Sequence, residues 1–135
     1  MNQSTDVITI ARDYLERHPR IQLAILFGSY ASHKNAPSSD IDVAVAFERS
    51  LTTDDKVTLA QELSLLTHKE IDVVDLREVH GVILGQILSN RKTLVNRDPE
   101  LYGNIIARHV TEESDFGPLR DAILKARRNR FINGQ

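Results

Sequence analysis

The chain contains no cysteine. That absence excludes disulfides, thiolate metal sites and a thiol nucleophile, and it fits a reducing cytoplasm. No apolar stretch approaches the roughly 18 residues that a membrane span needs. The N-terminal segment, MNQSTDVITIARDYLERHPR, lacks the basic region and apolar run of a secretory leader. The protein is therefore expected in the cytoplasm. Neither sign of charge is in excess: 17 Lys and Arg stand against 19 Asp and Glu, a net charge of -2. The overall balance thus asks for no nucleic-acid or membrane-surface partner. The histidines His18, His33, His68, His80 and His109 show no ligand spacing, so a zinc site is not expected. Phe27 and Ala31 flank Gly28-Ser29-Tyr30 where a serine hydrolase elbow needs glycines. The basic tail (Lys125, Arg127, Arg128, Arg130) reads as a solvated helix end or a partner contact.

The 135 residues suffice for one ordinary hydrophobic core and leave no room for two domains of usual size. With 41% hydrophobic and 27% charged residues, the chain has the balance of a folded globular protein. A helix is expected over 5–17, where Val7, Ile10, Ala11, Tyr14 and Leu15 recur at helical spacing before Pro19. The apolar run 21–27 reads as a strand broken by Gly28, followed by a short helix and a loop ending at Ser39. Residues 41–47 alternate Ile41, Val43, Val45 and Phe47 with Asp42, Ala44 and Ala46, the period of a strand with two different faces. Thr52 and Asp55 stand at capping-box spacing ahead of a helix reaching about His68. A β-branched strand over 70–76, a helix over 79–88 and a short strand over 93–95 follow, and the remainder is helical with a break at Phe116, Gly117 and Pro118. Strands separated by helices argue an α/β or α+β layer, a small sheet covered by helices.

Three local features carry chemistry. At Gly28-Ser29 the glycine permits a tight turn and close approach of an anion, and a following helix N-terminus would offer free N–H groups. Asp40 and Asp42 sit at i and i+2 at the head of a strand, so both carboxylates project from one face while Ile41 and Val43 face the core. Two anions side by side call for a cation, and hard oxygen ligands suit Mg2+. Asp72 lies within an apolar strand, where a carboxylate needs a partner. Asp75, at an odd offset from it, points to the other face, and its place at the strand end lets a cap or solvent satisfy it. Three carboxylates beside a phosphate turn are what a two-metal displacement at phosphorus requires.

The stretch LFGSYASHKNAPSSDIDVAV, with EIDVVDL about 30 residues on, resembles the DNA polymerase β-like nucleotidyltransferases, and within them the minimal nucleotidyltransferase antitoxins of HEPN/MNT toxin-antitoxin modules. The resemblance covers roughly residues 5–100. It implies the polymerase β-like fold, with residues 1–135 forming one domain, a catalytic core over about 5–97 and C-terminal helices over about 98–131. By the same resemblance Gly28 and Ser29 hold the nucleotide's β- and γ-phosphates, Asp40, Asp42 and Asp72 bind two Mg2+ ions, and Asp72 helps activate the acceptor hydroxyl. The implied activity is transfer of AMP from ATP to a tyrosine of a partner HEPN ribonuclease toxin. Nucleotidylation of a small molecule, or an antitoxin acting by binding alone, are the other readings. One departure stands out: many relatives carry basic residues directly after Gly-Ser, whereas here Tyr30, Ala31, Ser32 and His33 follow. Lys34 and Arg91 are the candidates to neutralise the triphosphate instead.

Overall fold

A computed structural model describes residues 3–28 and 40–112. In chain order the elements are α1 (Gln3–Arg17), β1 (Leu23–Phe27), β2 (Ile41–Ala46), α2 (Thr53–Thr67), β3 (Ile71–Asp75), α3 (Gly81–Ser89) and β4 (Lys92–Asn96). A further helix, α4, occupies 99–112. The strands form one mixed sheet in the order β3-β2-β1-β4. β1 runs antiparallel to both neighbours, whereas β2 and β3 are parallel.

The alternation along β2 divides the core into two layers, because successive side chains leave a strand on opposite faces. Ile41, Val43, Val45 and Phe47 pack with Val7, Ala11 and Leu15 of α1 and Leu59 and Leu63 of α2. Ala44 and Ala46 pack on the other face with Leu23 and Ile25 of β1, Leu84 and Ile87 of α3 and Ile105 of α4. Both faces are therefore covered, one by α1 and α2, the other by α3 and α4.

The capping box at α2 is complete. Asp55 N donates to Thr52 Oγ1 at 3.0 Å, and Thr52 N donates to Asp55 Oδ2 at 2.9 Å. His68 closes the helix in the left-handed conformation, φ 59°, with its N–H on the Ser64 carbonyl.

The other expected elements shift at their ends by one or two residues, and three of the shifts have a visible cause. β1 begins at Leu23 rather than Ile21, since Ile21 is drawn into the turn after α1: its N–H donates to the His18 carbonyl and its own carbonyl accepts from Arg97. α3 begins at Gly81 rather than Val79, because the N–H groups of Glu78 and Val79 both turn back onto the Asp75 carbonyl and His80 is extended. β4 is longer than 93–95, its polar ends Lys92 and Asn96 being held by pairing with Leu26 and Leu23 of β1. The helix expected after Gly28, Lys34, the break at Phe116 to Pro118 and the basic tail lie outside the described residues.

Candidate active site

The site forms where β1 ends and β2 and β3 begin. Asp42 stands opposite Phe27 in the antiparallel ladder and opposite Asp72 in the parallel one. Directly opposed residues share a face, so Asp42 and Asp72 continue the row set by Ala44 and Val74, on the side covered by α3 and α4. Asp40 is two residues earlier and exposed, Asp42 is half-buried and Asp72 exposed. Burial pushes the Asp42 carboxyl above its ordinary value, and the charges of Asp72 and Asp40 push it in the same direction. The acids named from the sequence are thus close enough to repel one another through Asp42.

Gly28 closes β1 with φ +77°, a conformation that favours glycine. A Cβ there would collide with Asp42 Oδ2 and lie 3.3 Å from its Cγ. The absence of a side chain at 28 is therefore what lets the Asp42 carboxylate occupy its place against the turn. Ser29, the other half of the expected phosphate turn, lies outside the described residues.

Asp75 takes the opposite face of β3 and is buried at 3% exposure. Its carboxylate accepts the N–H of Leu51 at 2.8 Å and that of Arg77 at 2.9 Å. It ties the end of β3 to the link before α2 and is separated from the acidic group by the body of the sheet.

No three His, Asp or Glu side chains among the described residues converge as a ready-made ligand cage. Mg2+ does not require one, being held usually by one or two carboxylates together with substrate phosphates. A half-buried carboxylate destabilised by two acidic neighbours, with two exposed side chains free to turn toward a common cation, fits such an ion.

Two basic residues share this end of the sheet. Lys92 opposes Leu26, and Arg91 precedes it. Arg91 Nη1 donates to the Leu88 carbonyl at 3.4 Å, and the guanidinium lies 5.5 Å from the centre of the Tyr102 ring. Tyr102, on α4, carried no sequence signal beyond membership of a helix. Two surface grooves lie elsewhere. One of about 460 Å³ lies between α1 and α2, beside Tyr14, His18 and Glu62. The other, of about 580 Å³, follows α2 and β3 and reaches the acids only through Ile71, the neighbour of Asp72.

Residues 10–100 match the family described as polymerase beta, nucleotidyltransferase. The protein adenylyltransferase MntA of Shewanella oneidensis is 35% identical over 98 residues, which cover 71% of this chain and 68% of that protein. A chain from a toxin-antitoxin crystal structure with AMP-PNP superposes with a TM-score of 0.68 at 29% identity, covering 90% of this chain and 98% of the other. A chain from the complex of tri-AMPylated S. oneidensis HEPN toxin with MNT antitoxin gives 0.61 at 28% identity, covering 90% and 96%.

Proposed function

The chain belongs to the polymerase β nucleotidyltransferase family, and on that premise we propose that it is a protein adenylyltransferase antitoxin of the cytoplasm. In this reading residues 1–135 act as one domain that transfers AMP from ATP to a tyrosine of a cognate HEPN ribonuclease toxin and so neutralises it. The observation that carries the proposal is the placement of Asp42 between Asp40 and Asp72 and against the Gly28 turn. The likeness to an adenylyltransferase and to the toxin-antitoxin complexes supports the choice of acceptor.

Asp40, Asp42 and Asp72 would hold two Mg2+ ions, and Gly28 with Ser29 the β- and γ-phosphates. Bound Mg2+ supplies positive charge that offsets the triphosphate and lowers the pKa of an acceptor hydroxyl. The protein's own part is largely positioning. Gly28 brings the backbone close to the phosphate tail, while Asp42 and Asp40 fix one side of the reacting centre. Asp72, exposed on the outermost strand, faces the side from which an acceptor tyrosine can enter and takes up its proton. The tyrosine oxygen bonds to the α-phosphorus, the bond from that phosphorus to the bridging oxygen breaks, and pyrophosphate departs.

Replacing both Asp40 and Asp42 by Asn keeps the shape of the side chains and removes the charge that retains Mg2+. The double variant is expected to stay folded and to transfer no AMP. Mass spectrometry of the co-expressed toxin is the measurement: an adduct of unchanged yield sinks the catalytic assignment. Full protection of cells without any adduct points instead to neutralisation by binding.

A further inference from the structure

The Gly-Ser turn of this chain is followed by no arginine, yet a nucleoside triphosphate brings a concentrated negative charge to a site that already holds three carboxylates. β4 pairs with β1 as far as Leu26 opposite Lys92. One residue further, Arg91 comes level with Phe27, whose other neighbour is Asp42. Thr93 opposes Ile25, whose side chain lies on the face of Ala44 and Asp42, so Arg91, two residues before Thr93, is placed on that same face. Asp72, Asp42, Phe27 and Arg91 therefore form a row across the end of the sheet. Arg91 is two strand spacings, about 10 Å, from Asp42.

Arg91 is also held in place. Its guanidinium rests over the Tyr102 ring at 5.5 Å, and the Tyr102 hydroxyl is bonded to Thr93 Oγ1 at 2.7 Å. Thr93 thus fixes the ring and the ring fixes the arginine. Among the described residues its one hydrogen bond, to the Leu88 carbonyl, is long, at 3.4 Å, so with respect to them most of the donors of the guanidinium fork are left for solvent or ligand. No carboxylate among the described residues forms an ion pair with it. An exposed cation, seated on an aromatic shelf and level with an acidic metal-type site, is suited to the phosphate tail of a nucleotide.

We propose that Arg91, seated on Tyr102, binds the β- and γ-phosphates of the incoming nucleoside triphosphate and so replaces the basic residues missing after Gly28-Ser29. The proposal rests on the adenylyltransferase reading above. It differs in concerning the tail of the nucleotide and not the reacting centre.

Titration calorimetry of the full-length protein with MgATP and, separately, with AMP tests it. Arg91→Gln is expected to weaken MgATP about ten- to a hundredfold, the effect of losing a charge-assisted hydrogen bond, and to leave AMP binding unchanged. Arg91→Lys should recover part of the loss. Tyr102→Leu, which removes the shelf but not the charge, should weaken MgATP by a few-fold, about the size of a cation–π contact. Arg91→Met retains the stem over the ring and serves as second variant should the glutamine protein fail to fold, with the same loss expected. A merely structural arginine would not discriminate between nucleotides by phosphate number. Unchanged MgATP affinity in both Arg91→Gln and Arg91→Met, or an equal loss for AMP, overturns the proposal while leaving the enzyme reading intact. A wild-type protein that binds no nucleotide overturns that reading and this inference with it.

Discussion

Asp72 and Asp75 stand three positions apart on one strand and meet opposite environments. Asp72 is exposed beside Asp42, whereas Asp75 is buried and accepts two backbone N–H groups. Substitution by alanine should therefore split stability from activity. Asp75→Ala leaves the Leu51 and Arg77 N–H groups without their acceptor and is expected to lower the unfolding free energy by about 2–4 kcal/mol, with transfer per folded molecule retained. Asp72→Ala should leave stability within about 0.5 kcal/mol and abolish transfer. Urea denaturation and toxin-adduct yield, measured on both variants, check the pair; the same pattern in both would show that the two acids share one role. Parity along a strand was enough to separate these residues from sequence alone. The burial of Asp75 was not readable, because the N–H that anchors it comes from Leu51, 24 positions away. Tyr102 escaped notice for a similar reason, its value lying in what stands above its ring.

The start of α2 shows what a local element can state about itself. Thr52 and Asp55 are close in sequence, and the hydrogen bonds they exchange need nothing from the rest of the chain, so the cap could be read directly. The start of α3 could not, because Val79 continues the apolar rhythm while its N–H is diverted to Asp75. In the α2 cap the Thr52 backbone N–H, followed by Arg49, holds the Asp55 carboxyl down at about 2, against an ordinary 3.8. The charged form is thus favoured by folding, and its contribution is complete above the ordinary value and is lost as pH falls toward 2. Asp55→Asn is accordingly expected to be less stable than the wild type at neutral pH. The difference should narrow across the interval from about 4 down to about 2. Parallel denaturation curves at those pH values test this, and a gap that persists undiminished in acid would show that the charge is immaterial to the cap.

At the level of the molecule, one side chain clamps the end of β4 to the end of α1. Arg97, one residue past β4, donates to the carbonyls of His18 at 3.0 Å and Ile21 at 2.7 Å, and also to that of Glu16. These lie at and just beyond the C-terminal end of α1, where a positive charge is favoured by the helix dipole. Arg97→Met is expected to lower the unfolding free energy by about 1–3 kcal/mol without changing transfer per folded molecule, as thermal denaturation and adduct yield would show. An unaltered melting temperature would mean that the clamp is ornamental. Periodicity and turn residues indicated a helix-covered sheet, but not the strand order β3-β2-β1-β4, which depends on pairings between distant segments. What pointed to the polymerase β-like arrangement was the resemblance carried by Gly28-Ser29, Asp40, Asp42 and Asp72.

That strand order also sets a schedule for synthesis. β1 lies in the interior of the sheet, yet of its two neighbours only β2 follows soon after it, and β4 is not made until residues 92–96. A nascent chain therefore holds an incomplete sheet, with one edge of β1 unpaired, until most of the polypeptide has left the ribosome. A product interrupted before Arg91 would lack β4, the Arg97 clamp and the cation assigned above to the phosphate tail. Such a fragment, with one edge of β1 open, is exposed to proteolysis, so under the antitoxin reading proposed above protection would depend on completed translation rather than on its onset.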